Sequence, residues 1–368
     1  MAQFEYSSIF GELTKNVQLR FDAVSKLNKQ LFDNALFEQF LDWDTPTVGL
    51  NFEEIIGKYN ITIAAPTIGD NSKESVLGTE GVQTYANRVF KHALTRPMTT
   101  QEYRKVLSLL DSKMISDDAK KNELIKLMWG NVETVVNAVK AKIDMIFLGA
   151  LSNEGVFTFD ANNNPEGGVK GSIDYKMPSE NKATANLDWT DANIANVDVF
   201  EDIQSVIDAA DDKVKLTKIL AAPSKVSYML RSAKLKRAVF GIDKSGTPLT
   251  LAALNEFLQQ NDMPIIEKVR RTVRVKNGNV VTPVSPFNAK NLVFVPDGKL
   301  GTIKNAYADS ELKQENGVSY SNFGRIRVSQ WGVGETQGSN GVEFTKAESL
   351  ALPVITEING IYSLKTEQ

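Results

Sequence analysis

One long helical pattern, from Ser116 to about Ser152, constrains the fold of this chain more than any other feature. Its apolar residues recur at steps of three and four: Leu124, Met128, Val132, Val135, Val139, Ile143, Ile146 and Ala150. Ser116 is a suitable N-cap, and Asp117 and Asp118 place negative charge on the first turn. About 36 residues at roughly 1.5 Å each make a rod of about 54 Å. A rod about three times the average helix length suits a long, flat subunit better than a compact enzyme domain.

Composition excludes several classes of protein. The chain has 368 residues, 42% of them hydrophobic and 24% charged, with a net charge of −3. These values are ordinary for a soluble globular protein, and the length predicts two or three domains. A net charge this small does not fit a chain made to coat nucleic acid. The sequence contains no apolar run of membrane-spanning length and begins without the pattern of a signal peptide, so we expect no membrane association.

The scarcity of reactive side chains argues against an enzyme. There is no cysteine, which excludes disulfides, thiolate metal sites and cysteine nucleophiles, and His92 is the only histidine. A serine triad would have to use His92, which lies in the predicted strand 88–96. We therefore interpret His92 as a solvated strand residue, and we predict no catalytic residue, no metal and no cofactor.

Two loops resemble ligand sites only in part. The turn from Asp160 to Asn164 has the first three ligand positions of a calcium loop, but Pro165 replaces the glycine and Gly171 replaces the bidentate glutamate. We interpret it as an Asx-rich turn. The loop from Gly332 to Gly338 lacks the spacing and the lysine of a nucleotide loop.

The first hundred residues predict two extended elements. Residues 4–43 form an apolar arm with helical spacing, either the first helix of a domain or a strap across a neighbouring subunit. Two predicted strands, Tyr59–Ala65 and Tyr85–Leu94, enclose a polar tip at 66–81. They predict an extended two-stranded loop.

The rest of the chain predicts mixed α and β structure. A hairpin is expected at 156–175, and 305–322 and 332–341 are expected to be polar loops. The predicted helices are Phe200–Ala210, Pro223–Phe240 and Thr250–Gln260. The predicted strands are Leu216–Ala222, Asn291–Pro296, Arg325–Trp331 and Leu352–Leu364.

The most charged feature is a predicted hairpin at Pro264–Pro283. Valines alternate along one of its faces, and the other face carries Lys268, Arg270, Arg274 and Lys276. Asn277-Gly278 predicts a type I′ turn between the strands. This face is either an electrostatic contact, with acidic surface on another subunit or with nucleic acid, or a solvated sheet face. A second basic cluster is open to the same interpretations. It consists of Lys225, Arg231, Lys234, Lys236 and Arg237.

The order of these elements resembles that of the major capsid protein of tailed bacteriophages, in the lambda-type major head protein branch of the HK-ninety-seven-type fold. Five regions carry the resemblance: the arm and extended loop before the long helix, the hairpin with Phe157–Asp160 and Val169–Tyr175 leading to Leu187–Trp189, the helix start Val199–Gln204, the strand and turn Asn291–Gly301, and the C-terminal pair Glu348–Val354 with Asn359–Tyr362. Each motif alone is loose, but together they span nearly the whole chain.

The resemblance implies an α+β phage major capsid fold in five segments. They are an N-terminal arm (1–46), an extended two-stranded loop (47–98), a peripheral domain with sheet and spine helix (99–210, spine helix 116–152), an axial α/β domain (211–325), and a C-terminal return to the peripheral domain (326–368). It also implies candidate inter-subunit contacts, for which we select the basic strand residues Arg88, Lys91, Arg96, Lys268, Arg270, Arg274 and Lys276.

The function implied by the resemblance is structural. Subunits would assemble in the host bacterial cytoplasm into hexamers and pentamers of an icosahedral virion shell around double-stranded DNA, which they would contain without sequence-specific binding. No built-in scaffolding segment is visible, so scaffolding is expected either as a separate protein or as a segment removed before this numbering begins. Portal and decoration proteins are expected as further partners. Two alternatives remain at this point: an encapsulin-like shell subunit that holds cargo enzymes, and an enzyme built on the region 199–300.

Overall fold

The computed structural model describes residues 35–56, 83–98, 117–165, 169–211, 213–242, 246–332 and 343–367, with five positions between 101 and 108. In the long helix, side chains are described from Asn131 onward. The predicted strand Tyr59–Ala65, the loop tip 66–81 and most of the N-terminal arm lie outside these ranges. Among the helices in the described ranges, none is long and apolar enough to cross a membrane.

The predicted long helix is confirmed as a 36-residue helix, Asp117–Ser152. Val132, Val135 and Val139 form a buried stripe, and from Ile143 to Ser152 every residue is buried. The helix therefore begins as an amphipathic rod and ends inside the protein. Gly155, with a φ of 83°, ends it by donating its N–H to the carbonyl of Ala150 at 2.9 Å, a left-handed turn that glycine adopts without strain.

The other elements follow the predicted order closely. The helices are α1 Phe37–Phe40, α2 Asp117–Ser152, α3 Val199–Ala210, α4 Pro223–Arg231, α5 Ala233–Phe240, α6 Leu251–Gln260 and α7 Asp309–Leu312. The strands are β1 Leu41–Trp43, β2 Asn51–Ile56, β3 Gln83–Arg88, β4 Phe90–Pro97, β5 Val156–Phe159, β6 Gly171–Asp174, β7 Lys182–Thr184, β8 Leu216–Ala221, β9 Ile265–Lys268, β10 Val273–Asn277, β11 Val280–Val284, β12 Asn291–Pro296, β13 Gly301–Ala306, β14 Ser319–Phe323, β15 Ile326–Gly332, β16 Glu343–Ile355 and β17 Tyr362–Lys365.

Two sheets organise these strands. The six-stranded sheet has the order β1-β13-β16-β15-β14, and β4 also pairs with β16. The five-stranded sheet has the order β7-β17-β12-β8-β9. Strands β10 and β11 pair only with each other, as do β2 with β3 and β5 with β6.

The five-stranded sheet separates two hydrophobic clusters. Along β12, Val293 and Val295 pack into the cluster that contains the spine helix and the six-stranded sheet. The alternate residues, Leu292 and Phe294, pack into a second cluster with helices α3 to α6. Because neighbouring side chains of a strand point to opposite faces, this uninterrupted apolar strand covers both clusters at once.

Three sequence predictions need correction. The helix predicted at 223–240 is two helices, because Ser232 has an extended backbone (ψ 123°) and caps α5 by accepting the N–H of Leu235 at 3.3 Å. The strand predicted at 352–364 is the end of β16 and all of β17, separated by a 3₁₀ turn at Ile358–Gly360. The region 305–322 is not one loop, since it contains α7 and most of β14.

The hairpin predicted at 264–283 is also different. Its first part is β9, which pairs parallel to β8 inside the five-stranded sheet, so Lys268 lies in that sheet. The hairpin itself is β10 with β11, from Val273 to Val284. Its two-residue turn is Gly278-Asn279, and of the two only Gly278 has a positive φ (57°). That is the pattern of a type II′ turn and not of the predicted type I′ turn.

Candidate inter-subunit contact site

Arg88 lies at the base of the predicted extended loop. Strand β2 pairs antiparallel with β3, and Arg88 stands opposite Asn51 at the end of this ladder. Its side chain is exposed, and its backbone N–H donates to Oδ1 of Asn87 at 2.7 Å. The described base of the loop thus agrees with a two-stranded element that begins at Arg88, and Tyr85 and Ile56 of this element are buried in the main hydrophobic cluster.

Lys91 belongs to a charged network on β4. Its ammonium lies 3.2 Å from a carboxylate oxygen of Asp309 and 3.2 Å from one of Glu348. Burial opposes the charge of Lys91, but the two carboxylates outweigh this effect and raise its pKa. Glu348 is 1% exposed and also accepts hydrogen bonds from Lys346 and Ser310. Lys91 therefore already has two partners within its own chain.

Arg96 ties β4 to neighbouring helical segments. Its guanidinium donates to the hydroxyl of Thr134 on the spine helix at 3.2 Å and to the carboxylate of Glu102 at 3.0 Å. With about a third of its side chain exposed, this residue mainly fixes the strand against the spine helix.

The hairpin region differs from these sites because its charges are not compensated locally. Between Lys268 and Pro296 the sequence contains no aspartate or glutamate. Arg270, Arg274 and Lys276 are exposed, and within the described ranges no ion pair joins any of them to an acid. Lys268 is half-buried at the end of β9.

Strand β11 of the same hairpin exposes one valine on each face, Val281 opposite Lys276 on the basic face and Val280 opposite Asn277 on the other. Val280 is 64% exposed and Val281 is 55% exposed, although both lie in a regular ladder with β10. By contrast, Val273 at the base is buried in the main hydrophobic cluster. The hairpin is therefore anchored at its base and projects basic and apolar side chains at its tip.

The anchor is a buried ion pair that sequence reasoning missed. Nε of Arg271 lies 2.7 Å from Oδ2 of Asp144 on the spine helix, and the two side chains are 7% and 0% exposed. Asp144 also accepts the backbone N–H groups of Leu36 and Phe37, at 3.2 and 2.8 Å. One signal could have found it: Arg271 is in phase with the inward-facing Val269 and Val273, and a charge on an apolar face needs a partner.

The second basic cluster is mostly paired within the chain. Lys225 is 5% exposed and binds the carboxylate of Glu367. Arg231 pairs with Asp191 at 2.7 Å, and Lys234 pairs with Asp198 at 3.6 Å. These residues stabilise the second hydrophobic cluster and its connection to the C-terminal strand, so the basic hairpin is the stronger contact candidate.

His92 is not the solvated residue that was predicted. It is 6% exposed and lies on the same face of β4 as Phe90, which packs against the main hydrophobic cluster. Burial lowers its pKa to about 4, and the nearby Lys142 adds to this effect. Its Nε2 lies 3.1 Å from the carbonyl of Ala351, so the neutral ring is a structural donor in the core.

The calcium-like loop is the predicted Asx turn. Oδ1 of Asp160 accepts the N–H groups of Asn162 and Asn163 at 2.8 and 2.9 Å. The ammonium of Lys142 donates to the carbonyl of Asn163 at 2.8 Å, and burial lowers the pKa of this lysine to about 8. Across the described parts of the chain, no group of three or more His, Asp or Glu side chains is placed to hold a metal ion.

The long spine helix, the two sheets and the β2–β3 pair have the order of elements expected of a capsid subunit. The comparison with known proteins identifies the family. The model of the phage major capsid protein E family matches residues 22–366, and the chain belongs to this family. It is a structural component of the virion capsid and not an enzyme, which decides against the alternative of an enzyme built on 199–300.

Several solved structures are similar to this chain at low sequence identity. A candidate capsid protein of a prophage in Escherichia coli CFT073 is 14% identical, with a TM-score of 0.56 over 95% of this chain and 98% of that one. A phage-related protein from Bordetella bronchiseptica RB50 is 11% identical, with a TM-score of 0.48 over 97% of this chain and 96% of the other. The mature capsid protein of bacteriophage PhiM1 is 12% identical, with a TM-score of 0.43 over 91% and 87%. Among curated protein sequences there is no match.

These findings confirm the α+β capsid fold that the order of elements predicted. A capsid protein assembles with copies of itself, so self-association is part of its function. The family also favours a phage capsid over an encapsulin-like shell.

Proposed function

We propose that this capsid protein forms hexamers and pentamers that close an icosahedral shell around double-stranded DNA, in the manner of the lambda-type major head protein branch. The observation that carries the proposal is the family match over residues 22–366, which includes the spine helix and both sheets. A shell of this kind uses heterologous contacts that close into rings. Extended strands and arms suit such contacts because they bury more surface than two globular faces do.

We further propose the five-segment organisation, with the arm at 1–46, the extended loop at 47–98, the peripheral domain at 99–210 and 326–368, and the axial domain at 211–325. The second hydrophobic cluster supports the axial domain, since helices α4 to α6 pack there against β8, β9 and β12. The axial domain shares this hydrophobic cluster with the peripheral domain, because α3 and β17, which belong to the peripheral segments, also pack in it.

The proposed subunit contacts are the basic strand residues, in two groups. Arg270, Arg274 and Lys276 are exposed without a described acidic partner, and Lys268 lies at their base. Arg88 lies at the end of β3, and Lys91 and Arg96 lie on β4. Lys91 and Arg96 are already paired within the chain, so they would contribute to a contact through the shape of the sheet edge at β4 and not through a free charge.

The proposed partners are separate scaffolding, portal and decoration proteins, with packaged DNA held without sequence-specific binding. Assembly would take place in the cytoplasm of the host bacterium. The net charge of −3 supports a shell that encloses DNA without gripping it along its whole surface.

Electron microscopy of the purified full-length chain after size exclusion tests this function. Rings, shells or tubes in the void volume are the expected result, and their rotational symmetry gives the capsomer directly. Co-expression with the scaffolding protein of the same phage is the matched second condition. A chain that remains a monomer near its mass of 40.6 kDa in both conditions would contradict the proposal.

A further inference from the structure

The basic hairpin, residues 270–284, has surface properties that the fold of a single chain does not use. It carries the exposed cations Arg270, Arg274 and Lys276 together with Val280 and Val281, which are 64% and 55% exposed. Its two strands pair only with each other. An isolated two-stranded hairpin is marginal in water, so a tip of this kind gains order by binding a partner.

A surface with the opposite charge lies elsewhere on the same chain. We call it the acidic patch and define it by its exposed side chains: Val48, Tyr307, Asp309, Leu312 and Glu315. Its apolar members are 69%, 38% and 56% exposed for Val48, Tyr307 and Leu312. The carbonyl of Thr47 accepts the N–H of Tyr307 at 2.9 Å, which brings the segment with Val48 beside the one with Tyr307.

The two surfaces are complementary in both charge and polarity. The segment 309–315 contains three acids and one lysine, and two of the acids already have a contact within the chain, Asp309 with Lys91 and Glu311 with the N–H of Ala308. The segment 269–289 contains four bases and no acid. One of those four bases, Arg271, is neutralised inside the protein by Asp144, which leaves three for a partner. Each surface also has exposed apolar side chains, which mark contact with protein better than contact with phosphate.

The two surfaces are attached to different elements of the chain. The hairpin is anchored on the spine helix through Asp144, and the patch is attached to the edge strand β4 through the Lys91–Asp309 ion pair. A contact between two different surfaces of one chain type is heterologous, and repeated contacts of this type close into rings.

We propose that the basic hairpin of one subunit binds the acidic patch of the adjacent copy in the capsomer. This inference rests on the proposed ring-forming function and names the surfaces that meet. Arg274 and Lys276 face Asp309 and Glu315 of the neighbour, and Val281, which stands opposite Lys276 on the same face of the hairpin, covers its Leu312 and Tyr307. The contact orients neighbouring subunits, because charge complementarity suppresses wrong registers more than it raises affinity.

The test exchanges the charges of the two surfaces in the full-length chain. One variant carries Arg274→Glu and Lys276→Glu, and the other carries Asp309→Lys and Glu315→Lys. Each places like charges across the contact, so each alone should raise the subunit concentration needed for assembly by at least about tenfold. The matched control is Lys236→Glu with Arg237→Glu, which reverses two bases on α5 and should assemble as the unmodified chain does.

Mixing the two charge variants gives the decisive result. In an alternating ring, every reversed hairpin faces a reversed patch and every native hairpin faces a native patch. The mixture should therefore recover assembly into even-numbered rings, while pentamers, which cannot alternate, should not recover. The four substitutions combined in one chain should recover both ring types.

Three results would overturn the contact. They are unchanged assembly by either charge variant, no recovery on mixing or combination, and loss of DNA retention by the hairpin variant with normal assembly, which would assign the hairpin to nucleic acid. In each case normal shells from the control variant would leave the proposed function intact. If the unmodified chain forms no rings even with its scaffold, the proposed function fails, and the contact fails with it.

Discussion

The ion pair between Asp144 and Arg271 should be the most sensitive polar site in the protein. Asp144 lies 2.7 Å from Nε of Arg271 and accepts the N–H groups of Leu36 and Phe37. Both side chains are buried, so neither charge can be solvated if its partner is removed. We predict that Arg271→Met and Asp144→Asn each destabilise the subunit strongly, and that the double variant recovers much of the loss.

The magnitude follows from burial. Removing one partner of a buried ion pair costs about 3–5 kcal/mol, because the remaining charge stays in a medium of low polarity. In the double variant no charge remains, and the amide oxygen at position 144 still accepts the N–H of Phe37. The two substitutions should therefore be non-additive by roughly 1–3 kcal/mol.

Urea unfolding of the unassembled subunit measures these changes. For a slope of about 3 kcal/mol per molar, each single substitution should lower the midpoint by about 1 M or more. Hydrogen exchange gives a local check, since Asp144→Ala should accelerate exchange at the amides of Leu36 and Phe37. Losses below about 1 kcal/mol for both single variants, or strict additivity in the double variant, would refute the reasoning.

Three further predictions concern sites outside this ion pair. His92 has a folded pKa of about 4 against 6.5 unfolded, so stability should fall as the pH drops from 6.5 to 4, by up to roughly 3 kcal/mol, and His92→Gln should flatten that part of the stability profile measured by urea unfolding. Gly301→Ala would place its Cβ 2.0 Å from a carbonyl of the adjacent strand, so soluble yield should collapse, whereas Gly246→Ala, in open space, should not change it. Ser232→Ala should cost about 1 kcal/mol in thermal unfolding by removing the cap of α5, with Ser227→Ala near neutral.

Elements with strong local signals could be predicted from the sequence. The spine helix was found by its period and by the glycine at its end, and α6 by Thr250, whose hydroxyl accepts the N–H of Ala253 at 3.2 Å. The division of 223–240 into two helices was missed because a serine inside an apolar helical period looks neutral, although the same side chain is a strong cap.

Tertiary pairing decided the features that could not be predicted. Nothing local in the segment 264–268 indicates that β9 leaves the expected hairpin to pair with β8, since both arrangements satisfy the same alternation. The charged strand neighbours Lys91 and Arg96 favour a solvated position for His92, yet β4 pairs with β16 and the ring of His92 is buried beside the carbonyl of Ala351. The subunit contacts are still harder to predict from sequence, because a charge can be recognised as unpaired only when the positions of all its possible partners in the fold are known.

The buried ion pair and the exposed hairpin belong to one physical arrangement. A hairpin that projects from the body loses conformational freedom when it binds, and that loss weakens binding unless the base is already fixed. Arg271 and Val273 fix the base on the spine helix, while the adjacent Arg270 and Arg274 stay exposed. Alternation along one short segment thus separates the side chains that hold the hairpin from those offered to a neighbour. The same Asp144 also accepts the backbone N–H groups of Leu36 and Phe37, so the base of the hairpin and the described end of the N-terminal arm are held at one point on the longest helix of the described chain.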